Sequence, residues 1–146
     1  MRAKKRSVIF IATTLLSIAI PIGSQAASPS ATPKPDSPTY FRTSALGNLA
    51  DMKKDIGDAQ IALEKGGSWK LLGNAAEIAF NVGQLQALNP PAQYSKTWVK
   101  QVAELDLLSD NFLESISGGS VSKTRSILSK MSKLIKTMDS YVKKVK

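Results

Sequence analysis

The hydrophobic residues from position 45 onward recur at alternating intervals of three and four. That spacing places them along one side of an α-helix, whereas a half-buried strand would show strict alternation. Glycine or proline pairs interrupt the pattern at residues 66–67, 90–91 and 118–119. Because glycine and proline commonly end helices, the pattern predicts four helices joined by short turns.

Each predicted helix presents an apolar seam to a shared core. The predicted core positions are Ala45, Leu49, Met52, Ile56, Ala59 and Leu63 in the first helix; Leu71, Ala75, Ile78, Val82 and Leu85 in the second, with Leu72, Ala76 and Ala79 beside them; Tyr94, Trp98, Val102, Leu105, Leu108, Phe112 and Ile116 in the third; and Val121, Thr124, Leu128, Met131, Ile135, Met138, Val142 and Val145 in the fourth, flanked by Ile127, Leu134 and Tyr141. Ser68 is the expected N-cap of the second helix. Short connections favour antiparallel neighbours, so we expect an all-α, up-down-up-down four-helix bundle over residues 40–146.

The amino-terminal 26 residues resemble an export signal. Four Lys and Arg residues within the first six positions precede an uncharged apolar run over residues 8–22. Ser24 and Ala26 then supply the small residues of a signal-peptidase site. The run is shorter than the ~20 apolar residues of a spanning helix. We therefore expect cleavage after Ala26 and a secreted or envelope-associated protein, with an uncleaved membrane anchor as the alternative.

Residues 27–39 contain four prolines among serines and threonines. Such a composition favours extended conformations and cannot build a core. We expect a disordered linker between the signal peptide, residues 1–26, and the bundle domain.

The chain contains no cysteine and no histidine. Their absence removes Ser-His-Asp and Cys-His nucleophiles, zinc sites with nitrogen or sulfur ligands, and attachment of a lipid to a cysteine at position 27. We therefore expect neither an enzyme nor a bound cofactor or metal. Two carboxylate sets on predicted helices leave a hard-cation site or a carboxylate hydrolase as lesser alternatives, and surface ion pairs are the favoured interpretation. These sets are Asp51, Asp55 and Asp58, and Asp106, Asp110 and Glu114.

Positive charge is concentrated at the carboxyl end. The chain has a net charge of +9, and residues 118–146 contain eight basic residues against one acidic residue. The outer face of the fourth predicted helix carries Lys123, Lys130, Lys133 and Lys136 among serines. Such a helix suits an anionic polymer or a membrane surface, although a solvated face is the simpler interpretation.

The bundle topology brings aromatic and basic residues to one end, where the first and third helices begin and the others finish. Rings can stack on apolar faces of a polymer while cations attract its anionic groups. The candidate polyanion-binding residues are Arg42, Tyr94, Lys96, Trp98, Lys100, Tyr141, Lys143, Lys144 and Lys146. The alternative is that the rings only close the end of the bundle. We expect no nucleic-acid partner for an exported protein.

The second predicted helix is almost uncharged. Glu77 is its only charged residue between Lys70 and Asn89, and its predicted outer stripe continues with Asn74, Asn81 and Gln84. A weakly charged exposed face suits a protein partner or a second copy of the chain, although a deeply buried helix is the simpler interpretation. The main functional hypothesis is thus a non-catalytic envelope binding domain for anionic polymers, and the alternative is a protein-interaction or homodimerisation module. The sequence leaves the oligomeric state open.

Residues 88–113, LNPPAQYSKTWVKQVAELDLLSDNFL, are similar to a pattern found in uncharacterised small exported helical proteins and lipoproteins of bacteria. In that pattern a Pro-rich turn opens a helix with an early aromatic residue, and a final helix follows a glycine-containing turn. The resemblance implies an envelope location and a helical architecture. It brings no catalytic residues, and the chain departs from the lipoprotein members in lacking their cysteine.

Overall fold

The computed structural model describes residues 34–146, which form four α-helices. These are α1 (Pro38–Glu64), α2 (Ser68–Gln86), α3 (Ala92–Ser117) and α4 (Val121–Val142), and the described range contains no strand. None of these helices is both long enough and apolar enough to cross a membrane. The predicted signal peptide and residues 27–33 of the predicted linker lie outside the described residues.

The four helices form a closed antiparallel bundle. Helix α1 packs against α2 and α4, and α3 packs against the same two, whereas the diagonal pairs among these described helices lie farther apart, with no Cα atoms within 8 Å of each other. Connections of three to five residues join consecutive helices, which forces each to reverse direction. The predicted up-down-up-down four-helix bundle is therefore confirmed.

Helix α1 begins at Pro38, two residues before the predicted start of the bundle domain at residue 40. Ser37 caps α1 by accepting a hydrogen bond from the Tyr40 backbone N–H at 3.2 Å, and Pro38 occupies the first turn. Proline suits that position because its missing N–H would have no helical partner there. Asp36 is tied to the α2–α3 connection: its N–H donates to the Asn89 carbonyl at 2.7 Å, and the Asn89 N–H donates to its carboxylate at 2.8 Å. Residues 36–39 thus belong to the folded domain.

The two Gly-Gly-Ser turns share a sequence but not a conformation. Gly66, the first glycine of one turn, has φ of 70°, whereas the second glycine of the other, Gly119, has φ of 66°. Ser120 caps α4 through a hydrogen bond from the Lys123 N–H, but Gly67 occupies the cap position of α2 and no side chain caps that helix. The predicted cap at Ser68 is wrong because the helix already includes that residue.

The core matches most of the predicted seams. All seven of Thr124, Leu128, Met131, Ile135, Met138, Val142 and Val145 are buried, as are Leu71, Ala75, Ile78, Val82 and Leu85. The second seam predicted on α2 is wrong, since Leu72, Ala76 and Ala79 are all exposed. Val121 is also exposed, and Leu63 is half-buried while Ala62 lies in the core. A square bundle buries only the part of each helix that faces its two neighbours, which is narrower than the two-row stripe predicted for α2.

Candidate functional site

The predicted site lies at the end of the bundle where α1 and α3 begin and α2 and α4 finish, which we call the aromatic end. Its aromatic residues are Tyr40, Phe41, Tyr94, Trp98 and Tyr141. The Arg42 guanidinium spans from α1 to the chain after α4, donating from Nη1 to the Val145 carbonyl at 3.3 Å. The elements therefore meet at this end as the topology predicts.

Trp98 is part of the core. Its side chain is 1% exposed and meets the ring of Phe41, which is fully buried, edge to face at a centroid distance of 4.9 Å and an angle of 80°. Edge-to-face packing of this kind stabilises a core beyond the area that it buries. The prediction that Trp98 contacts a ligand is wrong, because a polymer has no access to its ring.

Tyr94 and Tyr141 hold the carboxyl-terminal residues against α3. The Tyr94 hydroxyl donates to the Lys144 carbonyl at 3.1 Å, and the Tyr141 hydroxyl donates to the Tyr94 carbonyl at 2.9 Å. The two half-buried rings meet edge to face at 5.7 Å. Their polar groups are therefore used inside the domain, which favours a structural role for this pair.

The basic residues of the predicted site are exposed but form two groups. Lys96 and Lys100 lie two residues to either side of Trp98, about 160° around α3 from it, and so point away from the buried rings. Lys143, Lys144 and Lys146 are exposed at the end of α4, where the Lys143 ammonium pairs with the Asp139 carboxylate at 2.6 Å. The predicted convergence of rings and cations on one binding surface is thus only partly formed, because the rings are taken up in packing.

A larger basic surface runs along the outside of α4. We call it the cationic face, and it consists of Arg125, Lys130, Lys133 and Lys136. All four side chains are exposed, and among the described residues none has a carboxylate within 4.0 Å. Lys123, two residues before Arg125, is paired with Glu114 at 3.5 Å. The cationic face therefore presents unneutralised charge to the solvent.

A groove of about 480 Å³ between α1 and α4 borders the cationic face. Lys53 of α1 lines it together with Lys136 and Lys143 of α4, and Asp139 is its one acidic residue. Its floor is apolar, formed in part by Leu49 and Ile135. The positive surface consequently extends from α4 towards α1.

Acidic residues gather on the other side of α1, along its contact with α2. Asp55 is 6% exposed and accepts a hydrogen bond from the Asn81 amide at 3.3 Å. Burial raises the pKa of Asp55, and the neighbouring Glu77 raises this pKa further through its charge and a hydrogen bond. Asp51 lines the same groove, whose volume is about 500 Å³. Negative charge thus lies at the α1–α2 groove, whereas positive charge lies on α4.

No metal centre is formed by this acidic group: across residues 34–146, no three Asp or Glu side chains lie close enough together to hold a metal ion. Lys54 pairs with Asp58 at 3.3 Å, which matches the surface ion pairing favoured for this set. The other carboxylate set, on α3, contributes Glu114 to the pair with Lys123.

The exposed aromatic residues of α2 were not predicted. Trp69 is 87% exposed and Phe80 is 67% exposed, and both lie on the side of α2 that faces away from the core. Asn81, predicted on the outer stripe, is buried against α1 instead. The helical spacing could have predicted this exposure. Trp69, Ala76 and Phe80 are seven and four residues apart, so they share one side of α2, opposite the Leu71–Ile78–Leu85 seam.

Comparison of the chain with protein families, curated proteins and solved structures finds no match.

Proposed function

We propose that the protein is an exported, non-catalytic binding domain that contacts anionic polymers of the cell envelope through the cationic face of α4. The observation that carries the proposal is the row of exposed, unpaired cations on this helix. The export motif at residues 1–26 supports the proposed location.

The geometry of the face suits a linear polyanion. From Arg125 to Lys136 the face extends over about 17 Å at ~1.5 Å per residue. Serine hydroxyls lie between its basic residues, at Ser126 and Ser129. A polyelectrolyte that meets several fixed cations at once releases its condensed counterions, and that release drives binding without a shaped pocket.

The same cations also suit anionic membrane lipids. Each Lys or Arg close to a negatively charged membrane contributes about 1 kcal/mol, and the attraction ends within about one Debye length. The cationic face itself exposes no aromatic residue for insertion. Phosphate groups are the shared chemistry of wall polymers and of anionic lipids, so the test uses both.

A hydrolytic role for the carboxylates has less support. A pair of carboxylates does meet at the α1–α2 groove, where Asp55 lies beside Glu77. An acid–base pair must reach the substrate with both members. Asp55 is 6% exposed and bonded to Asn81, so its carboxyl group is withdrawn from any substrate in the solvent.

The proposal is tested by binding to long-chain inorganic polyphosphate and, separately, to vesicles that contain phosphatidylglycerol. Replacing Lys130, Lys133 and Lys136 with Gln removes three charges from the face. At about 1 kcal/mol per cation, we expect binding to weaken on the order of a hundredfold. Replacing Lys143, Lys144 and Lys146 with Gln tests the aromatic end in the same way, and we expect a smaller loss there because Lys143 is already neutralised by Asp139.

A matched control changes the net charge equally at a distant surface. Lys54, Lys65 and Lys70 lie along α1 and the start of α2, and all three are exposed. Their replacement with Gln should leave binding within about twofold of the parent, since surface charges farther apart than a Debye length are screened. Equal losses in the control and the α4 variant would refute a localised site, and polyphosphate binding without vesicle binding would assign the face to polymers rather than to lipids.

The second functional hypothesis, association with a protein through α2, is favoured by a separate observation, the exposure of Trp69 and Phe80. Apolar patches of a few hundred Å² are often functional, which favours a binding role for this surface.

A further inference from the structure

The outward side of α2 carries an uncharged apolar strip. Its members, at intervals of four, three, four and three residues, are Trp69, Gly73, Ala76, Phe80 and Gly83. All five are exposed, and that spacing aligns them along one side of the helix. At ~1.5 Å per residue the strip is about 21 Å long. Among the described residues Glu77 is the single charged side chain of α2 beyond Lys70, and it lies at the border of the strip.

The strip is complementary to itself when it is reversed. Trp69 and Gly83 each lie seven residues from Ala76, in opposite directions, and Gly73 and Phe80 lie three and four residues from it. If a second strip runs antiparallel across Ala76, Trp69 therefore lies level with Gly83, and Phe80 lies within one residue, about 1.5 Å along the axis, of Gly73. A large side chain opposite a small one is the arrangement that lets two helices approach closely and interlock.

We propose that the protein forms a homodimer in which two α2 helices pack antiparallel across a twofold axis at Ala76. Trp69 of each copy packs over Gly83 of the other, and Phe80 packs over Gly73. The contact is isologous, so that it closes on two copies and does not propagate.

The monomer itself does not explain the two glycines. Glycine is unfavourable inside a helix relative to alanine. A Cβ atom built on Gly73 or Gly83 meets nothing within 4 Å, and neither residue has a positive φ. Gly47 and Gly57 of α1 have equally open surroundings. Gly47 lies seven residues from Tyr40, which is 58% exposed, but the charged Asp51 lines the same groove. An uncharged strip that carries two glycines and two exposed rings is what singles out α2.

The available area fits a weak dimer. Aromatic side chains bury about 150–250 Å² each when fully covered. With Trp69 and Phe80 exposed at 87% and 67%, the two rings together offer on the order of 300 Å² per copy. Leu72, Ala76 and the glycine backbone bring the total towards the lower limit of specific interfaces, about 600 Å² per partner. Association should therefore depend on concentration within the micromolar to millimolar range.

The charge at the border gives the interface a distinctive response. Glu77 is one residue from the proposed axis, so the two copies place their carboxylates on the same side of the contact. Like charges that approach in this way repel each other, and salt screens the repulsion. Dimerisation should consequently be unchanged or strengthened by added salt, and Glu77→Gln should strengthen it. Polyanion binding by α4 responds to salt in the opposite direction.

The first test is the mass of the protein as recovered from the secreted or envelope fraction, measured by sedimentation velocity over a concentration series. We expect the mass to rise from one copy towards two. Gly73→Gln combined with Gly83→Gln should fill both recesses and abolish the rise, while the melting temperature stays at or above that of the parent. The matched control, Gly57→Gln on α1, should dimerise normally. A parent that is monomeric throughout, or a double variant that still dimerises, overturns the proposal.

The second test uses the absence of cysteine from the chain. Ala76→Cys places one thiol of each copy at the proposed axis, within the ~4.4–6.8 Å between Cα atoms that a disulfide requires. We expect it to form covalent dimers on mild oxidation much faster than Ala103→Cys, an exposed position on α3. Equal rates overturn the proposal.

The third test separates a second copy from a membrane as the occupant of the strip. Trp69→Ser should lower dimerisation at least tenfold and leave binding to uncharged phosphatidylcholine vesicles unchanged. Val99→Ser, which removes a side chain that is 60% exposed on α3, should change neither. Vesicle binding that depends on Trp69 in a monomeric protein would assign the strip to lipid and overturn the dimer.

Discussion

Asp55 is the one ionisable side chain that is buried in the part of the chain that the structure describes. Its carboxylate has lost most of its contact with water and lies beside Glu77, and both conditions raise its pKa. The Asn81 amide supplies a hydrogen bond that does not require the charge. The charged form of Asp55 therefore slightly destabilises the α1–α2 contact near neutral pH.

The raised pKa of Asp55 determines the sign of its effect on stability. The folded state binds the proton more tightly than the unfolded state, so the favourable contribution is complete below the ordinary aspartate pKa of about 3.9 and is lost as the pH rises through the folded pKa. We expect Asp55→Asn to be more stable than the parent at pH 7 and to lose less stability between pH 4 and pH 7. Chemical unfolding at both pH values measures this.

Asp58→Asn is the control for Asp55→Asn, because Asp58 is exposed and its pairing with Lys54 contributes little. A less stable Asp55→Asn variant at pH 7 would show that the charge of Asp55 stabilises the α1–α2 contact, contrary to this account.

The hydroxyl of Tyr141 contributes to stability through one hydrogen bond. It donates to the Tyr94 carbonyl, whereas the hydroxyl of Tyr40 makes no hydrogen bond within the described residues. We expect Tyr141→Phe to lower the free energy of unfolding by about 1 kcal/mol and Tyr40→Phe to leave it unchanged. Urea unfolding of both variants decides this, and equal stabilities would mean that water replaces the bond without loss.

The two tryptophans show what the sequence can predict at the scale of residues. Trp98 continues the Val102–Leu105 seam, and burial follows from that register. Its assignment as a ligand contact was wrong because closeness to lysines along the chain says little about direction around a helix. Trp69 belongs to no seam, so its exposure follows from the same rule. The role of that exposure depends on a molecule outside the chain, which no internal pattern specifies.

At the scale of the helix, the burial pattern of α4 matches the pattern expected from its sequence most closely. Its apolar residues, spaced alternately by three and four positions, form one continuous buried row from Thr124 onward. Leu128, fully buried, and Ile135, 3% exposed, lie at the middle of that row. We expect Leu128→Ala and Ile135→Ala each to lower the free energy of unfolding by about 2–5 kcal/mol.

Val121→Ala is the matched control on the same helix, since that side chain is 52% exposed. Its loss should stay within about 0.5 kcal/mol, as is usual for surface positions. Denaturant unfolding measures all three variants. Near-neutral results at both core positions would indicate that α4 is not packed, and the interpretation of α4 as a surface-bound amphipathic helix would gain.

The turns show where prediction at this scale ends. Glycine pairs correctly mark two of the three helix–helix connections, but either glycine of a pair can take the left-handed conformation. Gly66 takes it in the first turn and Gly119 in the second, because the last core residue of α1 and that of α3 stand at different distances from the pair. The serine after the pair caps α4 but lies within α2 for the same reason.

At the scale of the whole molecule, short connections and four seams are sufficient to predict the topology. The distribution of charge is harder to predict. The sequence suggested a division between the two ends of the bundle, whereas the structure divides the charges between sides, with Asp51, Asp55 and Glu77 at the α1–α2 groove and the cations on α4. Which side a charge occupies depends on the rotation of each helix about its own axis, and that rotation is determined by core packing.

Helices α2 and α4 lie diagonally opposite each other in the bundle, so their outer surfaces face in opposite directions. This arrangement determines how many polymers the proposed dimer can bind. In that dimer, two copies joined through α2 carry their cationic faces on the outermost sides of the pair. Such a particle is bivalent, and it would tie together two strands instead of coating one. Its effect on a polyanion would be to cross-link the polymer into a network, which is a mechanical role in an envelope.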